Sequence, residues 1–194
     1  MTTVSTSASD NNINASDIGV LSAQPASGSV SAVIKRIGEI WSLKFTFAAA
    51  RIPVTDAAAS GSSGSLKIFD FNEGVIQLLG SRHDWTAFAE GSALTTAAGD
   101  AAFVIAFGSV AADAGDGALT GTEVNFGATR AVTNSGGTGT GATTMTSIQT
   151  PLDGTATAVD LIMNWSGSAA TIDANSYIDV TGTAHFVGTF LGDD

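Results

Sequence analysis

From Trp41 to Phe47 every second residue is large and apolar: Trp41, Leu43, Phe45 and Phe47 alternate with Ser42, Lys44 and Thr46. A period of two sends successive side chains to opposite faces of a pleated strand, whereas a 3.6-residue helical period would scatter them around the cylinder. The same alternation returns near the C-terminus, where Ile178, Val180, Gly182, Ala184 and Phe186 oppose Tyr177, Asp179, Thr181, Thr183 and His185. Gly182 and Ala184 are small enough for a neighbouring strand or chain to approach closely. Between these stretches Asp100 to Val110 reads as a strand, with Phe103, Ile105 and Phe107 facing one way and Ala102, Val104 and Ala106 the other, apolar on both faces, which suits the middle of a sheet or a place between layers.

The remaining pattern is also of strands. Ala48 to Arg51 extends the first one, and the Ile52-Pro53 step reads as an edge or a turn, because proline cannot donate to a ladder. Ser60 to Ser65 reads as a flexible Gly/Ser loop. A strand follows from Leu66 to Phe71, with Lys67, Phe69 and Phe71 on one side and Leu66, Ile68 and Asp70 on the other. A turn at Asn72 to Gly74 leads into Val75 to Leu79, closed by Gly80, and the pair reads as a hairpin. Trp85 to Glu90, Val124 to Val132 and Thr143 to Ile148 are shorter candidates, and Ala158 to Trp165 places Val159, Leu161, Met163 and Trp165 on one face. The best helical candidate, Ala87 to Ala98, contains Gly91 and the pair Thr95-Thr96, both poor helix formers.

About eight to ten strands at this spacing predict an all-β fold, a β-sandwich of jelly-roll-like type. Residues 30–194 form its single domain. Residues 1–29, rich in Ser, Ala, Asn and Thr, form an extended N-terminal arm, either flexible or ordered by a partner, or else packed along its own domain as an edge segment.

Charge narrows the partners. Eighteen acidic residues against seven basic ones give a net charge of -11, which repels phosphate backbones and anionic lipid headgroups, so neither nucleic acid nor membrane is expected. The first residues lack the basic and apolar regions of a secretory signal. Charged residues make up only 13% of the chain, so much of the exterior must be Ser, Thr, Asn, Gly and Ala. A surface of that kind is readily covered by other protein, because little charge has to be desolvated. Six of the seven basic residues, Lys35, Arg36, Lys44, Arg51, Lys67 and Arg82, lie in the first half. They could dock on an acidic partner or serve only as solubilising charge.

Groups that do chemistry are sparse. With no cysteine and only His83 and His185, a structural zinc site would have to recruit carboxylates, and both histidines read as strand-surface or turn residues. Asp113, Asp116 and Gly117 resemble part of a calcium loop but lack the remaining oxygen ligands, so an acidic turn is expected there. The glycine-rich stretch 134–141 has neither the lysine nor the following helix of a phosphate loop. Glu39, Glu73, Glu90 and Glu123 fall at strand ends or turns, where a solvated acid is the usual role, although paired carboxylates for sugar hydrolysis are invisible in a sequence. Trp41, Trp85, Trp165 and Tyr177 would form a sugar-stacking platform if they shared an exposed face. Trp41 and Trp165 lie on apolar faces and are expected in the core, which leaves Trp85 as the best exposed candidate. No catalytic, cofactor-binding or metal-ligating residue is assigned.

The Ser/Thr/Ala-rich arm, the run Ala102 to Gly108, the segment Leu119 to Glu123 and the closing pair Asp160 to Trp165 and Ala174 to Thr183 together resemble the capsid cement or decoration proteins of tailed phages, particularly marine ones. The resemblance covers mainly residues 90–194 and carries no diagnostic motif, so no binding residue transfers with it. It implies a jelly-roll-like fold, no catalysis, no cofactor, location on the virion surface after assembly in the host cytoplasm, and homo-oligomers, often trimers, seated on the major capsid protein where subunits meet. The alternative from another class is a carbohydrate- or receptor-binding sandwich on a head or tail fibre.

Overall fold

The computed structural model describes residues 18–56, 61–90, 102–113, 118–133, 151–167 and 176–192. Ten strands run through them: β1 (Gly19–Leu21), β2 (Ser29–Ile37), β3 (Ile40–Asp56), β4 (Ser62–Phe71), β5 (Gly74–Glu90), β6 (Ala102–Gly108), β7 (Gly127–Thr133), β8 (Leu152–Gly154), β9 (Asp160–Gly167) and β10 (Ser176–Gly192). Every pairing is antiparallel. The fold is all-β.

One sheet has the order β2-β3-β10-β5-β8, and the other has β7-β6-β9-β4-β1. They are joined where the end of β3 pairs with the start of β4, Thr55 opposite Ser63 and Asp56 opposite Ser62. The layers meet through aromatic rings: Phe45 of β3 lies edge-on to Phe69 of β4 at 5.8 Å, and Phe107 of β6 lies edge-on to Phe186 of β10 at 5.1 Å. Each such ring removes a large apolar area from water, and the tilted geometry adds to that gain. Trp41, Leu43, Phe45 and Phe47 are all buried, as are Ile178, Val180, Ala184 and Phe186, so both period-two stretches face the interior as their sequence predicts.

Three expectations are corrected, and the Ile52-Pro53 step keeps its edge and loses its turn: Pro53 sits within β3, opposite Tyr177 of β10. β3 has left β2 at Ala48 and meets β4 only at Thr55, so that stretch has a ladder on one side only, and the missing N–H is tolerated there. The strand β4 begins within the expected Gly/Ser loop, with Ser62 and Ser63 buried. The segments on either side of Asn72 to Gly74 do not form a hairpin: β4 pairs with β9, β1 and β3, β5 pairs with β10 and β8, and the chain crosses between layers at this corner. Finally, Val75 to Leu79 and Trp85 to Glu90 belong to one strand of 17 residues.

β5 holds together across Gly80 by bulging. Gly188 pairs with Leu78 but Val187 pairs with Gly80, so Leu79 is the extra residue and turns outward. The bulge shifts the parity of everything after it, which carries Ser81, His83 and Trp85 inward. A second bulge lies in β3, where Ala48 and Ala49 together oppose Thr181; Ala49 has a φ of 49°, and its N–H donates to the Thr181 hydroxyl at 3.0 Å.

Of the expected arm, residues 1–17 lie outside the described residues. Ile18 is buried, and β1 pairs with the end of β4, Gly19 opposite Phe71. The expected helix from Ala87 begins as strand β5, and residues 91–98 lie outside the description, as do the candidate strand 143–148 and the glycine-rich stretch 134–141.

Candidate functional site

The outward face of the sheet β2-β3-β10-β5 collects three of the six basic residues of the first half, Lys35, Lys44 and Arg82. Its register aligns Val33, Lys44, His185 and Arg82 in one row across four strands, with Lys35, Ser42, Val187 and Gly80 in the next. Alternation from the buried row Ala32, Phe45 and Ala184 forces these side chains outward. Lys35, Lys44 and Arg82 are exposed, and Arg82 is held by Asp84 at 2.8 Å. Arg36, at the edge of the same sheet, reaches Glu39 at 3.3 Å.

His185 sits between two cations. Partial burial, then Lys44 and Arg82, push its imidazole below the ordinary histidine range, while Asp84 pulls the other way. Next to this row the same face turns apolar: Ile40 and Leu191 are about half exposed, and Leu79 and Val187 are exposed nearby. A face carrying both cations and uncovered apolar side chains, on a chain of net charge -11, is suited to acidic protein surface.

Arg51 and Lys67 lie elsewhere, in a groove of about 640 Å³ lined by β3, β4, β10 and the segment 22–26. Arg51 grips Asp179 through two bonds of 2.8 Å and lies over the Tyr177 ring, 3.4 Å from its centroid. Lys67 bridges Asp70 and Asp160, the latter at 3.0 Å. These two carboxylates are cross-strand partners in β4 and β9. Burial, together with Asp70 alongside, raises the Asp160 carboxyl; burial also acts on Asp70, but its bonds to Lys67 and Asp160 outweigh that and lower it. The trio is an electrostatic clasp between strands.

The other anticipated groups do not come together. Trp41, Trp85 and Trp165 are all in the core, so Trp85 is not exposed, and the sugar-stacking platform is reduced to Tyr177 beneath Arg51. His83 is not a surface or turn residue: it is buried, and its Nδ1 accepts the indole N–H of Trp85 at 2.9 Å. His185 is on the adjacent strand but on the opposite face, so the two histidines do not converge. Glu39 and Glu73 are exposed at separate turns, and Glu90 ends β5. Glu123 is not solvated. It lies buried at the end of a 3-10 turn, accepting the Thr120 N–H at 2.7 Å and the Asp113 N–H at 3.2 Å. Asp116 and Gly117 lie outside the described residues, among which no group of three or more potential metal ligands assembles.

Two features escaped the sequence reading altogether. The clasp at Lys67 depends on β4 lying beside β9, which no local pattern reveals. Asn164, apparently the polar interruption of an apolar strand, is fully buried and pins the loop after β6 through Val110, Ala112 and Glu123. Comparison with protein-family models, with curated proteins and with solved structures returns no match for this chain.

Proposed function

We propose that this protein is a non-enzymatic structural component of a virion, a capsid cement or decoration protein that seats between capsid subunits and stabilises the shell. The observation that carries the reading is the cationic and apolar face of β2-β3-β10-β5. On a strongly acidic chain, this face opposes the sign of the whole, so an acidic surface would be drawn to it in one orientation and repelled from the others. Exposed Ile40, Val187, Leu79 and Leu191 supply apolar area to bury once the charges have aligned the partners.

The fold supports a structural role. The chain passes between layers from β4 to β5 and from β9 to β10, a winding we read as jelly-roll-like, and the interior is a continuous aromatic cluster. We take the acidic partner to be the major capsid protein, with the seated form a homo-oligomer, a trimer by preference.

Mass analysis of purified particles tests the reading: the chain should be present at a fixed ratio to the shell protein. The double variant Lys44→Glu, Arg82→Glu should fold and yet bind stripped particles at least tenfold more weakly. Absence of the chain from particles, or undiminished binding by the double variant, would overturn it.

A further inference from the structure

We propose that the outer edge of β2, with which no described strand pairs, is a docking strand for an extended segment of another protein that carries carboxylates on alternate residues. The inference goes beyond the shell reading, since it concerns the strand's backbone and needs no capsid.

Two independent observations fix which backbone groups point outward. The β2–β3 turn is a two-residue loop, Gly38 and Glu39, between the pair Ile37 and Ile40, and Gly38 has a φ of 60°. Such a turn closes on a hydrogen-bonded pair. Counting back from Ile37, the groups of Lys35, Val33 and Ser31 face β3, and those of Arg36, Ile34, Ala32 and Val30 face away. At the far end, the Gln24 side-chain amide confirms the count: it donates to the Val30 carbonyl at 3.0 Å and accepts the Val30 N–H at 2.9 Å. Gln24 thus occupies the first rung of the outer ladder. The rungs at Ala32, Ile34 and Arg36 have no ladder partner among the described residues.

An incoming strand would complete those rungs and extend the sheet. Its side chains must suit both faces of β2. Toward the interior it meets the side of Ala32 and Ile34, which pack with the core, so apolar residues fit there. Toward the exterior it runs beside Lys35, with Lys44 one strand further in, so carboxylates fit there. The alternation required is apolar, acidic, apolar, acidic. Lys35 and Arg36 also disfavour like-charged edges, which makes the edge selective by charge.

The experiment uses the full chain with a ten-residue synthetic peptide of alternating valine and glutamate, and a valine–lysine peptide as control. Amide hydrogen exchange read by NMR should show at least tenfold slowing at Ala32, Ile34 and Arg36 with the acidic peptide. The Ser31, Val33 and Lys35 amides, already bonded to β3, should change little. The control should do neither, and the surface variant Lys35→Glu, Arg36→Glu should bind the acidic peptide at least tenfold more weakly. Equal binding of the two peptides, or protection elsewhere without protection at these three amides, would overturn the proposal. So would protection of the same amides without peptide, with the protein dimeric, because the edge would then be occupied by a second copy.

Discussion

The side-chain amide of Asn164 donates to the main-chain carbonyl of Glu123 at 2.9 Å, tying a strand of one layer to the loop that crosses over it. Its nitrogen also donates to the Val110 carbonyl at 2.8 Å, and its oxygen accepts from the Ser65 hydroxyl at 2.6 Å and the Ala112 N–H at 3.0 Å. Both donors and both acceptor sites are used, the full capacity of an amide. Asn164→Ala would strand the Glu123 and Val110 carbonyls under the loop. We expect a loss of about 2–4 kcal/mol in urea unfolding, with faster hydrogen exchange at Ala112.

Gly182 of β10 lies directly against the backbone of β5. A Cβ at this position would press on the Asp84 carbonyl and come within 2.6 Å of the Trp85 ring. The neighbour in the way is backbone at the second bulge of β5, where Thr86 is the extra residue, so it cannot rotate aside. Gly182→Ala should cost about 1–3 kcal/mol by denaturant titration, although alanine suits an ordinary strand better than glycine.

Protonation of His185 is disfavoured in the folded chain, so the folded state binds fewer protons than the unfolded one in the window between its depressed value and about 6.5. Stability contributed by the neutral ring is therefore complete above that window and is lost as pH falls through it. The melting temperature of the wild type should drop across this range more steeply than that of His185→Gln, and the two curves should run parallel above pH 7.

Lys67 holds Asp70 and Asp160 together, so Lys67→Met leaves two carboxylates facing each other across β4 and β9. Because the lysine is partly exposed, the loss at neutral pH should be modest, roughly 0.5–1 kcal/mol. It should shrink below about pH 4, where the carboxyls take up protons, and again as pH rises past about 10.5 toward the value to which Asp70 and Asp160 raise the Lys67 ammonium. Urea midpoints measured at pH 3.5, 7 and 11 check both ends.

An indole N–H can only donate, so the bond from Trp85 requires His83 Nδ1 to be unprotonated. The ring should be neutral with its proton on Nε2. Nitrogen chemical shifts at pH 7 should show that tautomer, and Trp85→Phe should let the opposite one appear.

The period of two in Trp41 to Phe47 and in Tyr177 to Phe186 makes the long strands and their buried faces legible in the sequence alone. The reading failed where a bulge changed parity: with Leu79 turned outward, Trp85 and His83 moved to the interior, and a tryptophan without a clear pattern around it looked exposed. It failed again at Asn72 to Gly74, because a short turn between strands looks the same whether the strands pair or part into different layers. Glu123 and Asn164 escaped for a related reason: a buried polar residue is recognised by its partners, and theirs come from distant segments. The basic residues of the first half are visible as a list, but only the register across β2, β3, β10 and β5 reveals that Lys35, Lys44 and Arg82 share a face.

β3 pairs with β10 from Ile40 to Val54 and with β2 as far as Ala48, and its last two residues, Thr55 and Asp56, pair with β4 of the opposite layer. A single covalent thread is thus woven into both sides of the molecule. Tension applied to either layer passes straight into the other, so the protein should yield to force in one abrupt step, as a rivet shears, without peeling apart leaf by leaf.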